Sequence, residues 1–136
     1  MSDAYIGFRS EYSQRILEES DLKGDPIELL ADWIREASEA NVVEPTAMTL
    51  ATATTDGHPS ARIVLLRRIA HGGFVFFTNY ASRKGGELTE NPNASVCFWW
   101  GELERQVRVE GTVARLSAEE SDDYFHSRPL ASQAAS

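Results

Sequence analysis

Residues 46–68 read TAMTLATATTDGHPSARIVLLRR, and this stretch decides the fold. Residues 46–55 are β-branched and small, a composition that suits a pleated strand. Asp56-Gly57 follows as a hairpin turn signal, and residues 60–68 return as the paired strand. Downstream the rhythm continues. His71-Gly72-Gly73 marks a second turn, residues 74–79 a third strand, and residues 94–100 and 103–116 two more around Gly101-Glu102. Between them residues 82–90 read as a short helix, with Ser82 as cap and Asn91-Pro92-Asn93 as terminator. Upstream, Asp25-Pro26-Ile27-Glu28 starts a helix: Asp caps, Pro suits the first turn, and Glu can reach back. Ile27, Leu30, Ile34 and Ala37 fall on one face of it with Trp33 beside them, which makes it a core-facing helix. Ser117-Ala118-Glu119-Glu120 is a capping box opening a last helix that carries Tyr124 and Phe125. Mainly β structure with flanking helices is therefore expected, an antiparallel barrel over residues 25–136 preceded by a polar arm at 1–24.

The bulk composition narrows the function classes. A chain of 136 residues with 42% hydrophobic and 25% charged content is one soluble globular domain's worth of material. No apolar run approaches the roughly 20 residues of a membrane span, and Met1-Ser2-Asp3-Ala4 lacks a signal-peptide pattern. The lone cysteine, Cys97, excludes an internal disulfide and fits a reducing compartment, so a cytoplasmic location is expected. A formal charge of −8 argues against nucleic acid or an anionic membrane as partner. Acid crowds the first 45 residues and the segment 119–123, while Arg62, Arg67, Arg68, Arg83, Lys84, Arg105 and Arg108 make the middle basic. Such a middle can hold a small anion, although for any one of these residues a solvated surface is the simpler reading. His58, His71 and His126 stand at no metal-ligand spacing, and no Walker-type or dinucleotide-type glycine loop is present. Trp99 and Trp100 alternate across a strand, which puts one in the core and the other at an interface or ligand.

Five pieces stand in a recognisable order: Arg62-Ile63-Val64-Leu65-Leu66-Arg67, Phe77-Thr78-Asn79, Ser82-Arg83-Lys84, Glu104-Arg105-Gln106-Val107 and Tyr124-Phe125-His126-Ser127-Arg128-Pro129. Together they resemble the pyridoxamine 5′-phosphate oxidases, over about residues 8–133. The resemblance implies a split β-barrel that dimerises and holds FMN at the subunit interface. It implies oxidation of pyridoxamine 5′-phosphate or pyridoxine 5′-phosphate to pyridoxal 5′-phosphate, with O2 as acceptor and hydrogen peroxide as product. Members of that family continue well past Ser132-Gln133, whereas this chain stops at Ser136. The expectation is a barrel incomplete at its C-terminus, with catalytic residues in the missing segment and little or no turnover by the 136-residue chain alone.

By the same resemblance, the cofactor residues are Arg62, Ile63, Val64, Leu65, Leu66 and Arg67 on one strand, Phe77 and Thr78 on the next, Arg83 and Lys84 at the phosphate, and Gln106 at the ring edge. The physics of Arg83 and Lys84 agrees, since charged donors at a helix N-terminus favour an anion. Substrate contacts fall on Arg67, Tyr124, Arg128 and Ser132, with Arg9, Ser10, Glu11 and Tyr12 as a segment that folds over the site. Arg67 stands where the family usually has Lys, keeping the charge but bringing a planar fork. Arg62 and Arg67, five apart, lie on opposite faces of a regular strand. Both reach one flavin only through a bulge, a strand end or different subunits. Two rival readings share these residues: a split-barrel module that binds FMN or the vitamin phosphate without turnover, and a cofactor-free dimerisation subunit. Another flavin oxidase or reductase on the same fold is disfavoured by the His126-Ser127-Arg128-Pro129 segment.

Overall fold

Helix α1 (Pro26–Glu39) begins as its first residues dictate, with Asp25 Oδ1 accepting the Ile27 N–H at 2.9 Å. The computed structural model describes residues 24–70, 72–77 and 83–116. After α1 come β1 (Ala47–Ala53), β2 (Pro59–Leu65), β3 (Arg68–Ala70), β4 (Gly73–Val75), α2 (Arg83–Glu90), β5 (Asn93–Trp100) and β6 (Arg105–Thr112). The first, second, fifth and sixth strands form one antiparallel sheet in the order β2-β1-β5-β6, and β3 pairs with β4 in a second. Both sheets are antiparallel, as expected of a mainly β chain, and among the described residues the four-stranded one is open, not closed into a ring. No described helix is long and apolar enough to cross a membrane.

Alternation sets the core. Met48, Leu50 and Thr52 of β1 are buried while their neighbours are half-buried. Val96, Phe98 and Trp100 of β5 share that inner face, with the Phe98 and Trp100 rings stacked at 5.4 Å. Helix α1 closes one side through Leu30 and Ala37, with Trp33 and Ile34 packed against the cluster. A polar brace holds it there: Arg105 of β6 pairs with Glu36, and its guanidinium lies 4.5 Å from the centre of the Trp33 ring. Trp100 Nε1–H donates to the Pro45 carbonyl at 2.8 Å, so the indole's one polar atom is satisfied inside the core. Because the Arg105 side chain is only 13% exposed, Arg105→Met should lower stability by about 1–2 kcal/mol in urea unfolding. A loss below a few tenths of a kcal/mol would show that α1 docks through apolar contacts alone.

Three strands are shorter than the sequence suggests. The expected strand 60–68 breaks at Leu66: its N–H donates to Thr46, but the next N–H, of Arg67, donates to Val75 in the second sheet. The chain thus changes sheets between consecutive residues. Of the expected strand 74–79, β4 ends at Val75, Phe76 and Phe77 lie beyond it, and residues 78–79 lie outside the described residues. The expected strand 103–116 is confined to β6, because Gly101–Leu103 forms a single 3₁₀ turn and Glu104 takes a left-handed φ of 53°. The arm at 1–24 lies outside the described residues except for Gly24, and the capping box at 117–120 lies wholly outside them.

The hairpin loop carries a titratable contact. Gly57 takes the positive φ of 91° that the turn requires. Beside it the Thr54 hydroxyl donates to Asp56 at 2.5 Å, and His58 Nδ1 lies 3.1 Å from the same oxygen. First the Thr54 hydroxyl and then His58 hold the Asp56 carboxyl below its ordinary range. A depressed folded-state pKa means the contribution is present above the unfolded value and is lost as pH falls through the folded one. An NMR titration should therefore place the Asp56 midpoint below that of an unfolded peptide, and Thr54→Val should move it upward.

Candidate functional site

The strand β2 divides its residues by parity. Ile63 faces outward and is 63% exposed, whereas Val64 and Leu66 are buried in the core. Of the candidate stretch 62–67, only the backbone and the side chains of Ile63, Leu65 and Arg67 face away from the core. Arg62 shares the inward parity, and its guanidinium donates to the Leu50 carbonyl at 3.1 Å and to Thr52 Oγ1 at 2.7 Å. Arg67 is exposed at the point where the chain passes between sheets. The strand therefore ends between the two arginines, which is one of the three ways their opposed parity can be relieved.

Across the centre of the sheet the outward residues are small. Thr49 sits between Ile63 and Cys97, and Ala51 between Ala61 and Ser95. At the far edge Trp99 pairs with Gln106, and both are exposed. Of the two tryptophans, Trp100 is the buried one and Trp99 the outward one, at 56% exposure. Trp99 is not loose, because its indole lies across Gly101, where an added Cβ would come within 3.2 Å of Nε1. The outward face thus carries Ile63 and Leu65 at one edge, Trp99, Gln106 and the exposed pair Arg108 and Glu110 towards the other, and small residues between. Strands β2 and β6 are three strand spacings apart, about 14 Å.

Sequence reasoning missed the group beneath the first edge. Glu87 of α2 is 5% exposed, and its carboxylate accepts from Thr52 Oγ1 and from Ser60 Oγ, the latter at 3.0 Å. The Arg62 guanidinium lies 3.6 Å from the same carboxylate. This polar network ties α2 to the β1–β2 hairpin. A signal existed in hindsight: Thr52, Ser60 and Arg62 are polar residues at inward parity, and such positions need a partner. Arg83 and Lys84 occupy the first turn of α2. Phe77 follows β4 and is half-buried. Thr78, Arg9, Ser10, Glu11, Tyr12, Tyr124, Arg128 and Ser132 lie outside the described residues.

An open antiparallel sheet with a small second sheet, one face packed by α1 and α2 and the other left uncovered by the described helices, defines a split-barrel protein. The comparisons agree with that class and narrow it. Residues 34–136 match the family described as pyridoxamine 5′-phosphate oxidase, and the chain belongs to that family. The pyridoxine/pyridoxamine 5′-phosphate oxidase of Thermosynechococcus vestitus is 56% identical over 125 residues, covering 92% of this chain and 59% of the relative. Among solved structures, PhzG from Burkholderia lata in complex with tetrahydrophenazine-1-carboxylic acid superposes with a TM-score of 0.80 at 37% identity, over 87% of this chain and 59% of that one. A pyridoxamine 5′-phosphate oxidase-related, FMN-binding protein from Nostoc punctiforme shares the fold, with a TM-score of 0.59 at 18% identity over 75% of this chain and 55% of its own. The chain spans about three fifths of the length of the curated relatives it matches.

Proposed function

We propose that the chain is the cofactor-holding part of an FMN-dependent oxidase that turns pyridoxamine 5′-phosphate or pyridoxine 5′-phosphate into pyridoxal 5′-phosphate. The observation that carries this reading is the 56% identity, over 92% of the chain, to an oxidase of that name. The local geometry supports it. A flat ring needs an apolar wall without bulky side chains, and the outward face offers Ile63 and Leu65 beside Thr49 and Ala51. The polar edge of the ring needs donors and acceptors, and the exposed Gln106 amide supplies both. A phosphate needs cations and backbone N–H groups, which the first turn of α2 provides through Arg83 and Lys84. These groups fit FMN, which when bound supplies the hydride acceptor that no side chain offers.

In this reading the protein's contribution is placement. Arg83 and Lys84 fix the cofactor by its phosphate, and the 62–67 segment fixes the ring. Tyr124, Arg128 and Ser132 grip the substrate phosphate, while Arg67 holds positive charge between the two ligands. Arg9, Ser10, Glu11 and Tyr12 exclude water by folding over the bound substrate. Since Leu65 and Gln106 stand at opposite edges of an open sheet, contacts from both segments to one ring come from two copies of the chain, which makes a homodimer the working unit. O2 is the final acceptor, and hydrogen peroxide reports turnover.

A chimera tests the substrate. The chain is extended with the segment by which the Thermosynechococcus relative exceeds it, loaded with FMN, and assayed for peroxide. Release that requires pyridoxamine 5′-phosphate supports the proposal, and unphosphorylated pyridoxamine should react far more slowly. FMN retention without peroxide would select the non-catalytic module instead. A second reading has one observation in its favour, the 0.80 TM-score to a protein solved with a phenazine carboxylic acid. Under it the substrate is a tricyclic acid, and the phosphorylated vitamin would be inert.

A further inference from the structure

The geometry points to Glu87 as a positioning residue for the cofactor phosphate, a role that rests on the FMN reading above. Helix α2 is poorly suited to form by itself. It has eight residues, RKGGELTE, well short of the roughly 12–15 that an isolated helix needs. Two of them are consecutive glycines, Gly85 and Gly86, each costing about 1 kcal/mol relative to Ala in a helix interior. Its placement must come from tertiary contacts. Leu88 packs against the core cluster, the Thr89 hydroxyl accepts from Arg115 at 3.5 Å, and the buried polar anchor is the Glu87 carboxylate.

That carboxylate is held by Thr52 on β1 and by Ser60 and Arg62 on β2, among its contacts. Donors on two strands leave the helix little freedom to slide or rotate. Glu87 lies one turn beyond Arg83, about 5–6 Å along the axis, so fixing it fixes the helix end that carries both candidate phosphate cations. Glu87 also holds the Arg62 guanidinium under the strand that leads into the 63–67 segment. Burying a carboxylate is costly, and an apolar residue of similar size is often as stable, so stability alone is a weak reason for this one. A carboxylate at this point does something an apolar residue cannot: it registers the helix against the hairpin by directional bonds.

The test compares FMN with riboflavin, which lacks the phosphate, using flavin fluorescence and the full chain as wild type, Glu87→Gln and Glu87→Ala. Circular dichroism checks that each variant is folded. Glu87→Ala should weaken FMN about tenfold, as expected for a displaced phosphate clamp, while riboflavin affinity changes less than about twofold. Glu87→Gln keeps the shape and part of the hydrogen bonding, so a smaller loss is expected, again confined to FMN. If Glu87 acted only as a negative charge near the phosphate, both variants would bind FMN more tightly, and the proposal would be wrong. Equal losses for FMN and riboflavin would also overturn it, since that is the mark of general destabilisation. Should Glu87→Ala not fold, Glu87→Gln decides alone. A wild type that binds FMN no better than riboflavin would instead remove the phosphate site on which the proposal stands.

Discussion

Trp100→Ala is expected to remove about 3–5 kcal/mol of folding free energy, while Trp99→Ala, one residue away, removes less than about 1. The two indoles are adjacent in sequence but belong to different environments. Trp100 is 1% exposed, stacks on Phe98 and donates to the Pro45 carbonyl, so its loss leaves a cavity and an unsatisfied acceptor together. Trp99 is 56% exposed, with its indole lying across Gly101. Since domains of this size have about 5–15 kcal/mol in total, the first substitution should leave a marginal protein. Chemical unfolding of both variants checks the contrast. Equal losses would mean that the outward face of β5 is as tightly packed as the inward one.

Arg62→Met should cost roughly 2–3 kcal/mol, and the loss should be coupled to Glu87. Removing one partner of a fully buried ion pair costs about 3–5 kcal/mol, because the remaining charge stays buried. Here the Arg62 side chain keeps 23% exposure against 5% for Glu87, which moderates the effect. The same substitution also removes the donors to Leu50 and Thr52. In a double-mutant cycle, Arg62→Met combined with Glu87→Gln should cost clearly less than the sum of the two single changes. Additive losses would show that the 3.6 Å approach carries no energy.

Much of the framework was legible in the residues. The Asp25-Pro26 start of α1, the hairpin around Asp56-Gly57 and the strand ending in Trp100 each rest on local chemistry, and local chemistry can be read along a chain. The break after Leu65 was not legible. Residues 60–68 are uniformly suited to a strand, and only the distant Val75 carbonyl draws the Arg67 N–H into the other sheet. Parity told that one of Trp99 and Trp100 faces inward but not which, because that depends on the direction from which α1 and its brace approach. Glu87 is the sharpest case. A glutamate in a short polar helix reads as solvated, and its burial depends on Thr52, Ser60 and Arg62, which lie 25 to 35 positions away. For the candidate site, the 62–67 strand and the α2 start were visible as motifs, whereas the inward turn of Arg62 required the strand register.

The central claim is that this chain holds FMN, and the visible absorption spectrum after FMN loading and desalting tests it most directly. The account predicts a retained flavin band at close to one FMN per chain, weakened when Arg83 and Lys84 are both replaced by Ala. A colourless protein that is folded by circular dichroism, yet keeps no flavin at any loading concentration, would contradict it.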